Sequence, residues 1–178
     1  MQRRPSALEN KLLLLHAIDR LGAVTAQQLL HFLIENELMD YISIQLALAE
    51  LVEAGLLRKQ PHSLGTLYAL TGKGRDTLYL FPNRVPHSRV IAVDQTAEPW
   101  RVRFRREKQM PSDIVKEQNG EYTVCLRLLE KDTELLNLRV SVPTHKAAER
   151  FANAWIAQAT SIYAHIVHSL GEGETEAK

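Results

Sequence analysis

Leu38-Met-Asp-Tyr-Ile-Ser-Ile-Gln-Leu-Ala-Leu-Ala-Glu-Leu-Val-Glu-Ala-Gly-Leu-Leu57 decides how the first half of the chain is read. From Ile44 onward the apolar residues Ile44, Leu48, Leu51 and Val52 recur in steps of three and four, which predicts one face of a helix. Gly55 stands just past the last turn, where a residue with positive φ ends a helix at little cost. Two short apolar runs follow, Leu56-Leu-Arg-Lys-Gln60 and Thr66-Leu-Tyr-Ala-Leu70, around the loop Pro61-His-Ser-Leu-Gly65; this is a hairpin pattern. Helix, glycine stop and hairpin in that order form the second half of a winged helix-turn-helix. In such a unit an exposed helix enters the major groove and the hairpin lies along the phosphates.

Upstream of this stretch, Leu8, Leu12, Leu15 and Ile18 share one face of a helix that stops at Gly22. Thr25 is a suitable N-cap for a second helix over 26–36, whose Leu29, Phe32 and Leu33 face the first. The basic arm before it carries Arg3 and Arg4, read chiefly as solvated and alternatively as reaching a phosphate or a minor groove. Downstream, Thr71 caps a further helix over 72–81 that ends before Pro82.

From Pro86 the residues Val90, Val93, Ala97, Trp100 and Phe104 alternate in threes and fours, a narrow heptad seam rather than the wider stripe of a core helix. Pro99 interrupts it, predicting one kinked helix or two short ones. The period then changes to two. Stretches 110–118, 121–131 and 134–142 read as a three-stranded antiparallel meander, with Asn119-Gly120 as a strong hairpin signal. A long helix over 144–170 brings Phe151, Trp155, Ile162, Ile166 and Leu170 onto a face that can cover the sheet.

The chain is thus expected to be α+β. A winged helix-turn-helix domain spans 1–82; a linker helix, the meander and a long C-terminal helix span 83–170; and a disordered acidic tail spans 171–178.

Composition limits the function classes. No run approaches the ~20 apolar residues of a membrane span, and the N-terminus lacks the apolar segment of a secretion signal, so a cytoplasmic protein without membrane contact is expected. Cys125 is the single cysteine and permits neither an internal disulfide nor a thiol-based zinc site. His165, His168 and His145 have no accompanying carboxylate or thiol at ligand spacing, and no histidine is near Cys125 in sequence. No phosphate-cradling glycine loop is present. Neither catalysis, a metal nor a cofactor is expected. With a net charge of +1, any electrostatic footprint on nucleic acid must be local.

The candidate DNA contacts follow from the winged-helix reading. Ser43, Gln45, Leu46 and Ala49 lie opposite the core face of the third helix, and of these Gln45 alone offers a bidentate contact, preferably to adenine. That helix carries Glu50 and Glu53 but no Arg or Lys, so phosphate affinity is assigned to Arg58, Lys59 and His62 on the hairpin, with Thr25 and Gln27 as neutral donors. The basic run Arg101-Val-Arg-Phe-Arg-Arg-Glu-Lys108 is read chiefly as a solvated face and alternatively as a second phosphate contact. A dimer interface is expected on the seam Val90, Val93, Ala97, Trp100 and Phe104, with Trp155 and Ile162 of the last helix as a second surface. Packing of Trp100 and Phe104 on their own chain's sheet is the competing explanation.

Four strings carry a family resemblance: Glu9-Asn-Lys-Leu-Leu-Leu-Leu15, Asp40-Tyr-Ile-Ser-Ile-Gln45, Leu70-Thr-Gly-Lys-Gly74 and Asn153-Ala-Trp-Ile156. They resemble the bacterial winged-helix family of unknown function numbered 4364 over nearly the whole chain. More loosely, the first half is similar to the PadR and MarR regulators, where a Thr-x-Lys-Gly string also follows the wing. The resemblance implies a transcriptional regulator that dimerises. Three function classes stay open: a homodimeric regulator of double-stranded DNA, a winged-helix module that binds another protein, and a sensor whose second domain holds a small-molecule effector.

Overall fold

The computed structural model describes residues 5–62, 64–131 and 133–171. The basic arm with Arg3 and Arg4 and the acidic tail after Gly171 lie outside the described residues. The chain divides into two compact units at Phe104/Arg105.

The helices of the first unit begin where short polar side chains satisfy their unpaired amides. Ser6 caps α1 (Ala7–Leu21), its Oγ accepting from Glu9 N at 3.2 Å while the Glu9 carboxylate accepts from Ser6 N at 2.7 Å. Thr25 and Gln28 repeat this reciprocal cap at α2 (Ala26–Glu35), at 3.1 and 3.0 Å. α3 (Tyr41–Glu53) starts at Asp40 and is followed by Gly55, which has φ +70°. Thr71 caps α4 (Gly72–Leu80) and also donates its hydroxyl to the Gly55 carbonyl at 2.8 Å, tying α4 to the end of α3.

Between α1 and α2, Val24–Thr25 forms a two-residue strand, β1, that sequence periodicity did not reveal. It pairs with β3 (Gly65–Leu70), which also pairs with β2 (Leu57–His62), so the antiparallel sheet runs β1-β3-β2. The strands reach further toward the tip than the expected loop 61–65 allowed, because Pro61 sits on the outer strand β2, where a missing N–H is tolerated. Ser63 at the tip is outside the described residues.

α5 (His87–Gln109) continues through Pro99 as one helix. An interior proline costs about 3 kcal/mol. Packing on both sides of it offsets that cost: Val93, Ala97 and Phe104 are buried in the same core as α1, α2 and α3, with Val90 and Trp100 packed against that core. Asp94 fixes the register of α5 on α1, since its Oδ1 lies 2.9 Å from His16 Nε2 and 2.7 Å from Arg20 Nε. The first compact unit therefore extends past Pro82 to Phe104.

In the second unit, β4 (Ser112–Lys116), β5 (Tyr122–Glu130) and β6 (Thr133–Val142) form the expected antiparallel meander in the order β4-β5-β6. Val124 is paired with Ile114 and Val140, and Leu126 with Leu138, so one face is apolar. Gly120 makes the first turn with φ +87°. α6 (His145–Gly171) covers that face with Ala148, Ala152, Trp155 and Ala159, a stripe whose small residues admit close approach to the strands. The Trp155 indole N–H donates to the Arg127 carbonyl at 2.9 Å. Phe151 and Leu170, expected on the covering face, are 42% and 76% exposed, because the sheet is met by the neighbouring stripe. Among the described residues no helix is long and apolar enough to cross a membrane.

Candidate nucleic-acid interface

α3 is held from both ends and from behind. At its start Asp40 Oδ1 accepts from Ser43 N at 3.0 Å, and Asp40 Oδ2 accepts from Ser43 Oγ at 2.7 Å. Those two bonds hold the Asp40 carboxyl below the usual carboxylate range. The Arg89 guanidinium of α5 donates to the Leu38 carbonyl in the turn before α3, and burial lowers its pKa from the ordinary arginine value. At the far end Lys73 Nζ donates to the Ala54 carbonyl at 3.0 Å, a cation on the negative end of the helix. Ile44, Leu48 and Leu51 anchor the inner face in the core.

The outer face differs from the one expected. Gln45 is half-buried, while Leu46 and Ala49 are exposed as foreseen. Ser43, however, has its hydroxyl proton committed to Asp40 and serves as part of the cap. Two residues were missed. Tyr41 and Ile42 are 58% and 68% exposed, beside Leu46 at 60%. Their signal was present: Ile42 and Leu46 are apolar but out of phase with Ile44, Leu48 and Leu51. Of the acidic residues, Glu50 is paired with Lys11 of α1 at 2.7 Å, and Glu53 is exposed.

The hairpin cations do not share a surface. Arg58 opposes Ala69 and Lys59 opposes Tyr68, and consecutive strand residues point to opposite faces. Lys59 Nζ stands 5.9 Å from the centre of the Tyr68 ring. Arg58 is exposed on the other face beside Gln60, whose amide oxygen, turned toward the guanidinium, accepts from Nε and Nη2 at 3.1 Å each. His62 Nδ1 accepts from Leu64 N at 3.2 Å and so shapes the hairpin tip. Thr25 spends an oxygen lone pair on its cap, and Gln27 is exposed in the first turn of α2.

The seam expected to meet a partner chain faces inward instead. Val93, Ala97 and Phe104 are at most 4% exposed. The Trp100 ring meets Phe32 edge-on at 5.9 Å and Phe104 at 5.4 Å. Trp155 is equally sealed in the core of the second unit, with Ile162 packed against it. A stripe of heptad spacing records that a helix is covered; here the chain's own core covers Val93, Ala97 and Phe104 of the seam and Trp155 of the last helix, while Val90, Trp100 and Ile162 are partly buried against those cores. Of the basic run, Arg101 pairs with Glu98 at 2.8 Å, and the Arg103 guanidinium lies 5.1 Å from the Trp100 ring centre.

In the second unit, α6 leaves the β6 side of the apolar face partly open. A groove of about 540 Å³ runs there, lined by Leu126, Leu138, Val140, Phe151, Trp155 and Ile162, with Arg150 and Gln158 as its polar residues. Cys125 is half-buried on the opposite face, across from Asp113 and Arg139. Among the described residues no three His, Cys, Asp or Glu side chains are grouped to hold a metal ion.

Comparison with curated proteins and with solved structures gives no match. A family model described as Domain of unknown function (DUF4364) matches residues 10–170, which takes in both compact units. The chain belongs to the DUF4364 family.

Proposed function

We propose that the first unit is a winged helix-turn-helix that binds double-stranded DNA, with α3 in the major groove and the β2–β3 hairpin against the phosphates, and that the protein is a homodimeric transcriptional regulator. The observation that carries this reading is the outward face of α3. It is anchored at both ends, it projects Gln45 beside Ile42, Leu46 and Ala49, and its Glu50 is neutralised by Lys11. The order of three helices and a hairpin, closed by a two-residue strand between the first and second helix, supports the same reading.

Because Arg58 and Lys59 face opposite ways, one cation per hairpin meets phosphate, and Arg58 is the better placed. Arg58→Ala should weaken binding to all duplexes and reduce the salt slope by about 0.9 per site lost, whereas Lys59→Ala should leave the slope unchanged. Selection from random duplexes by mobility shift tests the reading: recovery of no enriched site, with binding indifferent to Arg58→Ala, would remove it. The second copy is assigned to the open groove of the second unit, where Phe151 is exposed beside the edge strand β6. Sedimentation equilibrium should give a dimer mass that Phe151→Ser lowers, and a monomer at tens of micromolar would refute pairing.

A protein-docking role is the second reading. It is favoured by the charge at the start of α3, where the exposed Asp40 carboxylate caps the helix and would repel a phosphate.

A further inference from the structure

The exposed apolar side chains of α3 have no packing duty, since Ile44, Leu48 and Leu51 supply its core contacts. Ile42, Leu46 and Ala49 follow one another at steps of four and three, so they form one row along the helix of about 10 Å. That length spans about three base steps at ~3.4 Å each. Guanine is normally read through its O6 and N7 by Arg or Lys, and α3 contains neither. An adenine is read by Gln or Asn, and Gln45 lies next to the row. What an isoleucine or leucine can recognise in the major groove is the C5-methyl group of thymine. Glu50 beside the row is paired with Lys11 at 2.7 Å, Glu53 is exposed four residues past Ala49 at the far end of the row, and Arg58 lies on the hairpin.

We infer that α3 recognises a short run of A·T pairs, Ile42 and Leu46 packing on thymine methyl groups and Gln45 bonding an adjacent adenine. This rests on the duplex-binding reading above. The test uses the full chain and the best duplex from selection, compared with the same duplex carrying deoxyuridine for thymine, which removes the methyl group and leaves base pairing intact. Affinity should fall about fourfold for each contacted methyl removed, and an Ile42→Ala, Leu46→Ala variant with unchanged melting temperature should bind both duplexes alike. A selected site without thymine, or equal binding of thymine and uracil duplexes by the unmodified protein, would overturn the inference and leave DNA binding standing. Absence of binding to any duplex would overturn both.

Discussion

In α5, Val93, Ala97 and Phe104 are sealed against the core of the first unit, whereas in α3 Ile42 and Leu46 stand in solvent on a helix that the same core already holds by other residues. Both helices carry apolar residues at steps of three and four. The difference lies in phase. Every apolar residue of the α5 seam points one way, so the seam needs a single cover and finds it in Phe32 and its neighbours. α3 has one apolar set for the core and a second set about half a turn away, and the second set has no structural use. An apolar residue out of phase with its own helix is therefore the better pointer to function, because exposing it costs solubility and nothing in the fold repays that.

The largest effect is expected for Phe104→Ala, which empties a sealed site in α5 and should lower stability by about 3–5 kcal/mol in urea unfolding. A loss below about 1 kcal/mol would mean that the seam is not packed inside its own chain. Gly74→Ala comes next. A Cβ there would lie 2.1 Å from the Leu56 carbonyl oxygen, a backbone clash that should cost about 1–3 kcal/mol and loosen α4 from the end of α3. Thr25→Ala removes one half of the α2 cap and should cost about 1 kcal/mol, measured by thermal melting. The double variant Ile42→Ser, Leu46→Ser should change stability by no more than about 0.5 kcal/mol, as expected of side chains that are presented rather than packed.

The smallest effect concerns pH. The Asp40 carboxyl titrates below the usual carboxylate range because Ser43 bonds its charged form, so its contribution is present above that range and is lost as pH falls through the lowered value. Melting of Asp40→Asn should accordingly lack the part of the acid destabilisation that the unmodified protein shows. Identical pH profiles would mean that the cap bonds do not persist in solution.

Much of the fold was legible because its signals are local. The cap at Thr25, glycine stops at Gly22 and Gly55, and the Asn119-Gly120 turn act within a few residues, and the elements they bound stand close to where periodicity put them. What spacing does not encode is which surface meets a stripe. Val90 to Phe104 reads the same whether the cover is a second chain or Phe32, and Phe151 reads as core until Ala148, Trp155 and Ala159 take that place. β1 escaped notice because two residues show no period; its partner β3 lies some forty positions on. On the outer face, Leu46, Ala49 and Arg58 are exposed where their positions in the helix and strand put them. Tyr41 and Ile42, in the first turn of α3, lie outside the expected stretch from Ser43 onward and are also exposed. The opposite facing of Arg58 and Lys59 follows from simple strand alternation and was readable from the start.

Duplex DNA binding through the apolar residues on the outward face of α3 is the proposal on which the others depend. Equilibrium titration of the selected duplex with the unmodified protein and with the Ile42→Ser, Leu46→Ser variant, melting temperatures being measured on the same samples, tests it most directly. The expected result is a loss of at least tenfold in affinity at an unchanged melting temperature, equivalent to about 1.4 kcal/mol removed from binding alone. Equal affinity of the two proteins for that duplex, or no duplex recovered by the unmodified protein, would contradict it.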